Sequence, residues 1–149
     1  MTRSERMKPI QDIAESRELD AARRLREAQR IYAKQQEYLE ALRHYRKTYA
    51  EETNQPDTNV MDARKLRNYR AFLSHLNDSI LRQEAAVDSA RSRCDQVRQG
   101  WVAEHQRHRA LDKVVDRLRD QERAAANRKE QRESDECALR LLSRPQPRS

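Results

Sequence analysis

From Leu66 to Ala125 the chain carries apolar residues at steps that alternate three and four: Leu66, Tyr69, Leu73, Leu76, Ile80, Gln83, Val87, Ala90, Cys94, Val97, Trp101, Glu104, His108, Leu111, Val115, Leu118, Glu122 and Ala125. Fourteen of these eighteen positions are apolar or aromatic. Such spacing keeps one stripe on one face of an α-helix. A stripe that long needs a facing helix, and the first third of the chain supplies one. Ile10, Ala14, Arg17, Ala21, Leu25, Ala28, Tyr32, Gln35, Leu39, Leu42, Arg46 and Tyr49 step the same way, with two successive fours around Ala21 that read as a local stutter.

Breakers mark the ends of these stripes. Pro9 suits the first turn of a helix, and neither proline nor glycine follows until Pro56. The run from Thr53 to Asn59 gathers turn and capping residues, and Asn59 with Asp62 has capping-box spacing. The pattern predicts an all-α, long antiparallel two-helix coiled-coil hairpin forming one domain over about residues 1–142, with a helix over about 9–52, a turn at 53–59 and a longer C-terminal helix over about 60–142. Gly100 is tolerable within the second helix at a cost of about 1 kcal/mol. The Pro-containing tail, 143–149, reads as disordered.

The two helices differ in length, about 65 Å against about 120 Å at 1.5 Å per residue. Folding about Pro56 and Asp57 sets the start of the first helix opposite roughly residue 104 of the second. Everything beyond is then expected to lack an internal partner. Leu111, Val115 and Leu118 fall in that overhang among Arg107, Arg109, Lys113, Arg117 and Arg119, a combination suited to docking on another protein; the alternative is that the turn lies elsewhere or the second helix bends, covering them internally.

Composition narrows the class. With 38% charged and 36% hydrophobic residues and a single glycine in 149, a compact globular core is not expected. The net charge of +7 favours an acidic protein surface, anionic lipid or nucleic acid without choosing among them. Cys94 and Cys137 lie on one predicted helix, so a reducing compartment is the simpler reading. No apolar run reaches the roughly 20 residues of a membrane span, and no signal-peptide core opens the chain. A cytoplasmic protein, monomeric on its own and without membrane insertion, is expected.

Catalytic chemistry finds little purchase. One glycine excludes a glycine-rich phosphate loop, and an open helical hairpin offers no water-excluding pocket. No catalytic residue, cofactor site or metal site is assigned. His105 and His108 share a helix face, but no completing ligand set accompanies them, and they are expected to face solvent. Asp112, Asp116 and Asp120, flanked by Arg117, Arg119 and Arg123, read as a salt-bridged helix surface.

Five of seven aromatics flank the turn: Tyr38, Tyr45, Tyr49, Tyr69 and Phe72. Tyr49 and Tyr69 occupy stripe positions. Tyr38, Tyr45 and Phe72 stand one residue off it, and a phenyl ring beside the seam is the kind of group that anchors an interface.

Three segments carry a family resemblance. The run Leu19, Asp20, Ala21, Ala22, Arg23, Arg24, Leu25 is similar to a "DAAR-L" stretch; Asn68, Tyr69, Arg70, Ala71, Phe72, Leu73 to an "NYxxF" segment; and Asn127, Arg128, Gln131, Asp135, Glu136, Ala138, Arg140 to an "ENRxxQxxxDExAxR" pattern with Ala126 in place of the glutamate. In this order they resemble the FliJ family, the soluble component of the bacterial flagellar type III export apparatus. The resemblance implies a non-enzymatic hairpin like the central stalk of rotary ATP synthases, with paired termini in the hexameric export ATPase FliI and the turn end on the membrane export-gate protein FlhA. Export chaperones are further implied partners, and the location implied is peripheral to the inner-membrane apparatus. Gate-contact positions match at Leu42, Tyr45, Tyr49, Phe72 and Leu76 and depart at Tyr38, Ser79 and Gln83, where the family shows Gln, Ala and His. The ATPase end would then use Leu111, Val115, Leu118, Arg117 and Arg119. The competing readings are a basic helical nucleic-acid binder, a generic coiled-coil tether, and the equivalent stalk of a virulence injectisome. Acidic residues interrupting each basic stretch weigh against nucleic acid.

Overall fold

The computed structural model describes residues 1–53 and 63–145. Three helices follow in order: α1 (Arg3–Arg6), α2 (Lys8–Thr53) and α3 (Ala63–Leu142). The described residues hold no strand, and α2 and α3 pack against each other as an all-α hairpin. Most of the turn assigned at 53–59, the Asn59/Asp62 capping pair, the helix start at Val60 and the end of the tail at 146–149 lie outside the described residues. Ser143 closes the last turn of α3 through its N–H to the Leu139 carbonyl at 3.0 Å.

The short α1 is an addition to the expected pair. Its sequence signal is Thr2 followed three residues later by Glu5. The Thr2 hydroxyl accepts from the Glu5 N–H and the Glu5 carboxylate accepts from the Thr2 N–H, a reciprocal capping box. Pro9 explains why α1 does not run on into α2: it has no N–H to offer Glu5, and its ring crowds the carbonyl four residues back. The chain steps through Met7 and restarts at Lys8, with Pro9 in the first turn.

The chain forms two compact units, residues 1–18 with 104–149 and residues 19–103. In the second unit the seam is greasy. Leu39, Leu76 and Ile80 form its buried centre, with Leu42, Phe72 and Val87 packed against them, and Ala28 and Cys94 are buried further along. The amide of Gln83 satisfies itself across the seam, donating to the Gln35 side-chain oxygen at 2.6 Å and the Gln35 carbonyl at 3.0 Å. Arg46 reaches Asn77 at 3.1 Å and Arg43 reaches Glu84 at 3.2 Å. From Gln35 with Gln83 to Arg46 with Asn77 the α2 number rises while its partner's falls, so the helices are antiparallel.

In the first unit the seam is mixed. Ala14 and Val115 are buried, and Val115 is fully so. Around them stand polar pairs: Ser4 with Glu122, Gln11 with Asp112, and Glu18 with His105 and His108. Two expectations change here. Ile10 and Arg17 are exposed, and the seam positions belong to Gln11 and Glu18 instead. The sequence Ser4, Met7, Gln11, Ala14, Glu18, Ala21, Leu25 then alternates threes and fours without interruption, and the stutter vanishes. Hydrophobicity misled because the two polar residues have partners on α3 that offset the cost of partial burial.

The register also moves. Gln11 lies opposite Asp112 and Ser4 opposite Glu122, so the start of α2 meets α3 well beyond residue 104. Every α3 stripe position from Leu66 to Glu122 is buried or half-buried, whereas Ala125 and all described residues after it are exposed.

Gly100 has open space around the place a Cβ would occupy. Gly100→Ala should therefore stabilise the chain by about 0.5–1 kcal/mol through helix propensity alone; urea unfolding followed by circular dichroism checks this, with the midpoint moving up at unchanged slope.

Candidate partner-docking surfaces

The aromatic residues near the end of α2 converge with those near the start of α3 because stripe positions and their neighbours face the same seam. Tyr49 and Tyr69 stack at 5.2 Å between ring centroids with planes 21° apart. Phe72 lies 4.5 Å from Tyr49 and meets Tyr45 edge-on at 6.0 Å, while Tyr45 and Tyr49 are 6.4 Å apart. These separations fall in the range where ring quadrupoles favour offset and edge-on contacts.

The five gate-contact candidates are thus gathered in one unit, but not all at its surface. Leu76 is buried, Leu42 and Phe72 are half-buried against the core, and Tyr49 is half-buried within the ring cluster. Phe72 is less open than its off-stripe position suggests, since the rings of Tyr45 and Tyr49 cover it. Tyr45 is 52% exposed and Tyr38, two turns earlier on the same helix face, 61%. Tyr38 borders a shallow groove with Lys34, Gln35, Glu37, Ala41 and Gln83. The accessible part of this surface is therefore a tyrosine flank over a packed aliphatic floor.

The residues assigned to the ATPase end separate differently. Leu111 and Leu118 are half-buried and Val115 is wholly buried, because the longer register brings the N-terminal residues over them. The expectation that this strip is left uncovered is corrected on that ground. Arg117 and Arg119 remain exposed. Arg119 lines a cleft with Ser4, Glu5 and Lys8. From Arg123 to the end of α3, about 30 Å of helix, every described residue is exposed, although Arg123 and Ala126 still border Thr2. Leu139, Leu141 and Leu142 are exposed along it, as is the Cys137 thiol; Cys94 is a buried free thiol.

Ser4 closes the paired region. Its hydroxyl donates to one Glu122 carboxylate oxygen at 2.7 Å and its backbone N–H to the other at 3.0 Å. These two bonds, the hydroxyl's first, hold the Glu122 carboxyl below its ordinary value. Sequence reading missed the pair, and it also missed Glu18. His105 and His108 do not face open solvent: each presents Nδ1 to a different oxygen of the Glu18 carboxylate, His105 at 2.6 Å. The available signal was the one-residue shift of the α2 stripe that places Glu18 in the seam. No group of three or more described residues is arranged to hold a metal ion, and no described helix is long and apolar enough to cross a membrane.

Tyr49 touches three other rings, so Tyr49→Ala should cost about 2 kcal/mol, from lost burial and lost ring contacts together. Thermal unfolding monitored by near-ultraviolet circular dichroism reads the effect, with the aromatic signal falling before helicity is lost.

The chain is 28% identical to the flagellar FliJ protein of Salmonella typhi over 93% of its own length and 94% of the relative's. It is 27% identical to the flagellar FliJ protein of Escherichia coli K12 over 91% and 92% of the two chains. No solved structure gives a significant match. The family model described as flagellar FliJ protein matches residues 3–147, taking in α1, both long helices and the exposed end of α3, and the chain accordingly belongs to the FliJ family.

Proposed function

We propose that this chain is a non-enzymatic, stalk-like component of bacterial flagellar protein export, binding the export ATPase FliI through its terminal unit and the export gate FlhA through the tyrosine flank of the other. Family membership across nearly the whole chain supports the flagellar setting. The observation that carries the two-partner reading is that the candidate surfaces belong to different compact units, an aromatic one within 19–103 and one of exposed arginines and exposed helix within 104–149.

A helical hairpin suits such a role. Its backbone hydrogen bonds are satisfied internally, so long lateral surfaces remain available for partners. At the gate end, Tyr45 and Tyr38 offer rings that bury large apolar area while keeping a hydroxyl for a polar partner. Leu42, Phe72 and Leu76 support that flank from beneath. At the ATPase end, Arg117 and Arg119 supply bidentate donors for carboxylates, and the exposed stretch after Arg123 supplies the contact length. Leu111, Val115 and Leu118 act there by fixing α3 against the N-terminal residues. A chain working this way sits at the cytoplasmic side of the membrane apparatus, and export chaperones are additional ligands for the exposed end of α3. The family match favours this reading over a nucleic-acid binder or a generic tether.

Two measurements separate the surfaces. Tyr45→Ala, which leaves the buried floor in place, should weaken binding to the soluble part of FlhA by about tenfold, near 1.4 kcal/mol, in isothermal titration, and should leave FliI binding unchanged. Reversing charge at both Arg117 and Arg119 should reduce stimulation of FliI hydrolysis severalfold at low salt and less at high salt, while FlhA affinity holds. Loss of both affinities from either change overturns the assignment of separate sites.

A further inference from the structure

We infer that Glu18, His105 and His108 form a protonation-controlled clasp that holds residues 1–18 against residues 104–122 in mildly acidic solution and slackens as His108 loses its second proton. The geometry supplies the clasp. Glu18 occupies a seam position of α2, its side chain only 20% exposed, and each of its carboxylate oxygens takes the Nδ1 of a different histidine on α3. The other ring nitrogen of His108, Nε2, stands 3.6 Å from an Asp112 oxygen, and Asp112 also accepts from the Gln11 amide at 3.0 Å. One carboxylate thus bridges two imidazoles one helical turn apart, and a second carboxylate extends the chain of contacts back to α2.

The surrounding charges favour imidazolium. From α2, Glu15 and Glu18 act on His108; from α3, Asp112 does the same. Glu104 is nearby but is bound to Arg107 at 3.2 Å, which spends both charges on each other. With His108 protonated, its contact to Glu18 is a charge-assisted bond, roughly twice as strong as a neutral one. With the His108 ring neutral, its Nδ1–H tautomer still donates, but the attraction between ions is gone.

The direction of the pH response follows from linkage. His108 holds its proton more tightly in the folded chain, chiefly through the bond to Glu18, so its contribution is complete below its ordinary 6.5 and is lost as pH rises through the raised folded value. Glu18 is lowered, chiefly by the bond from His105 and then that from His108, so its contribution is complete above 4.5 and fades as pH falls through the lowered folded value. Both are present between 4.5 and 6.5. Slackening on the alkaline side acts on the seam that covers Val115, where polar pairs replace the aliphatic packing found around Leu39 and Ile80. Loosening the N-terminal residues bares Leu111, Val115 and Leu118. The clasp therefore controls access to an apolar strip that the closed form hides.

Nuclear magnetic resonance of the intact chain tests this. The His108 ring should titrate above 6.5, and the amide protection of Ala14 and Val115, corrected for intrinsic exchange, should fall roughly tenfold between about pH 6 and about pH 8.5, while that of Leu39 and Ile80 changes far less. Glu18→Gln should move His108 back toward its ordinary titration and flatten the protection profile; His108→Gln, which keeps a side-chain N–H donor, should flatten it too. Protection independent of pH in the unaltered chain, or an undiminished slope in both variants, overturns the clasp. So does a shift of both histidine rings by stoichiometric zinc chloride with protection unaffected by protons, which would make the three residues a metal seat.

Discussion

A seam one residue wide tolerates a polar side chain only when its hydrogen-bonding partner stands directly across, and that constraint fixes how α2 and α3 meet. In the unit of residues 19–103, Gln35 and Gln83 answer one another within a mainly aliphatic and aromatic interface. Sliding either helix by one turn would separate those two amides and leave them against Leu or Val. The cost of such an unpaired group, about 1–3 kcal/mol, is comparable with the burial of a leucine. Polar pairs therefore specify register where apolar residues, which pack nearly as well one turn away, do not.

The terminal unit shows the same rule applied more heavily. Ser4 with Glu122, Gln11 with Asp112, and Glu18 with the two histidines take the positions that leucines hold elsewhere. Such pairs hold alignment at little net gain in stability, because each exchanges bonds to water for bonds across the helices. The unit that carries the exposed length of α3 is thus the one whose pairing is most readily altered by solvent conditions or by a competing partner. The aromatic unit is built oppositely, with a packed floor of Leu42, Phe72 and Leu76 that presents Tyr45 and Tyr38 on a firm base.

These differences bear on the proposed division of labour in flagellar export. A gate contact that depends on placed tyrosines gains from preorganisation, since little freedom remains to be lost on binding. A contact along an exposed, charged helix relies more on long-range attraction and on the geometry of the partner. Both cysteines are free thiols, Cys94 packed within the seam and Cys137 on the exposed end of α3.

Because amphipathic periodicity depends only on which residues avoid water, the alternating spacing by itself determined the fold class and the α3 stripe from Leu66 to Glu122, though not its last position, Ala125. It also marked Tyr38 and Tyr45 as flanking residues, and those two are the exposed tyrosines. It misassigned Ile10 and Arg17 to the seam, since a rule that counts hydrophobicity prefers Ile10 to Gln11 and sees no use for Glu18. Only the facing helix could decide otherwise, by bringing Asp112, His105 and His108 opposite those side chains. Register, and with it the covering of Val115 and the start of the exposed length at Arg123, was likewise settled by tertiary structure. A periodic stripe repeats every seven residues and so cannot say which repeat meets which; pairs of groups hundreds of atoms apart in sequence, meeting within 3 Å, can.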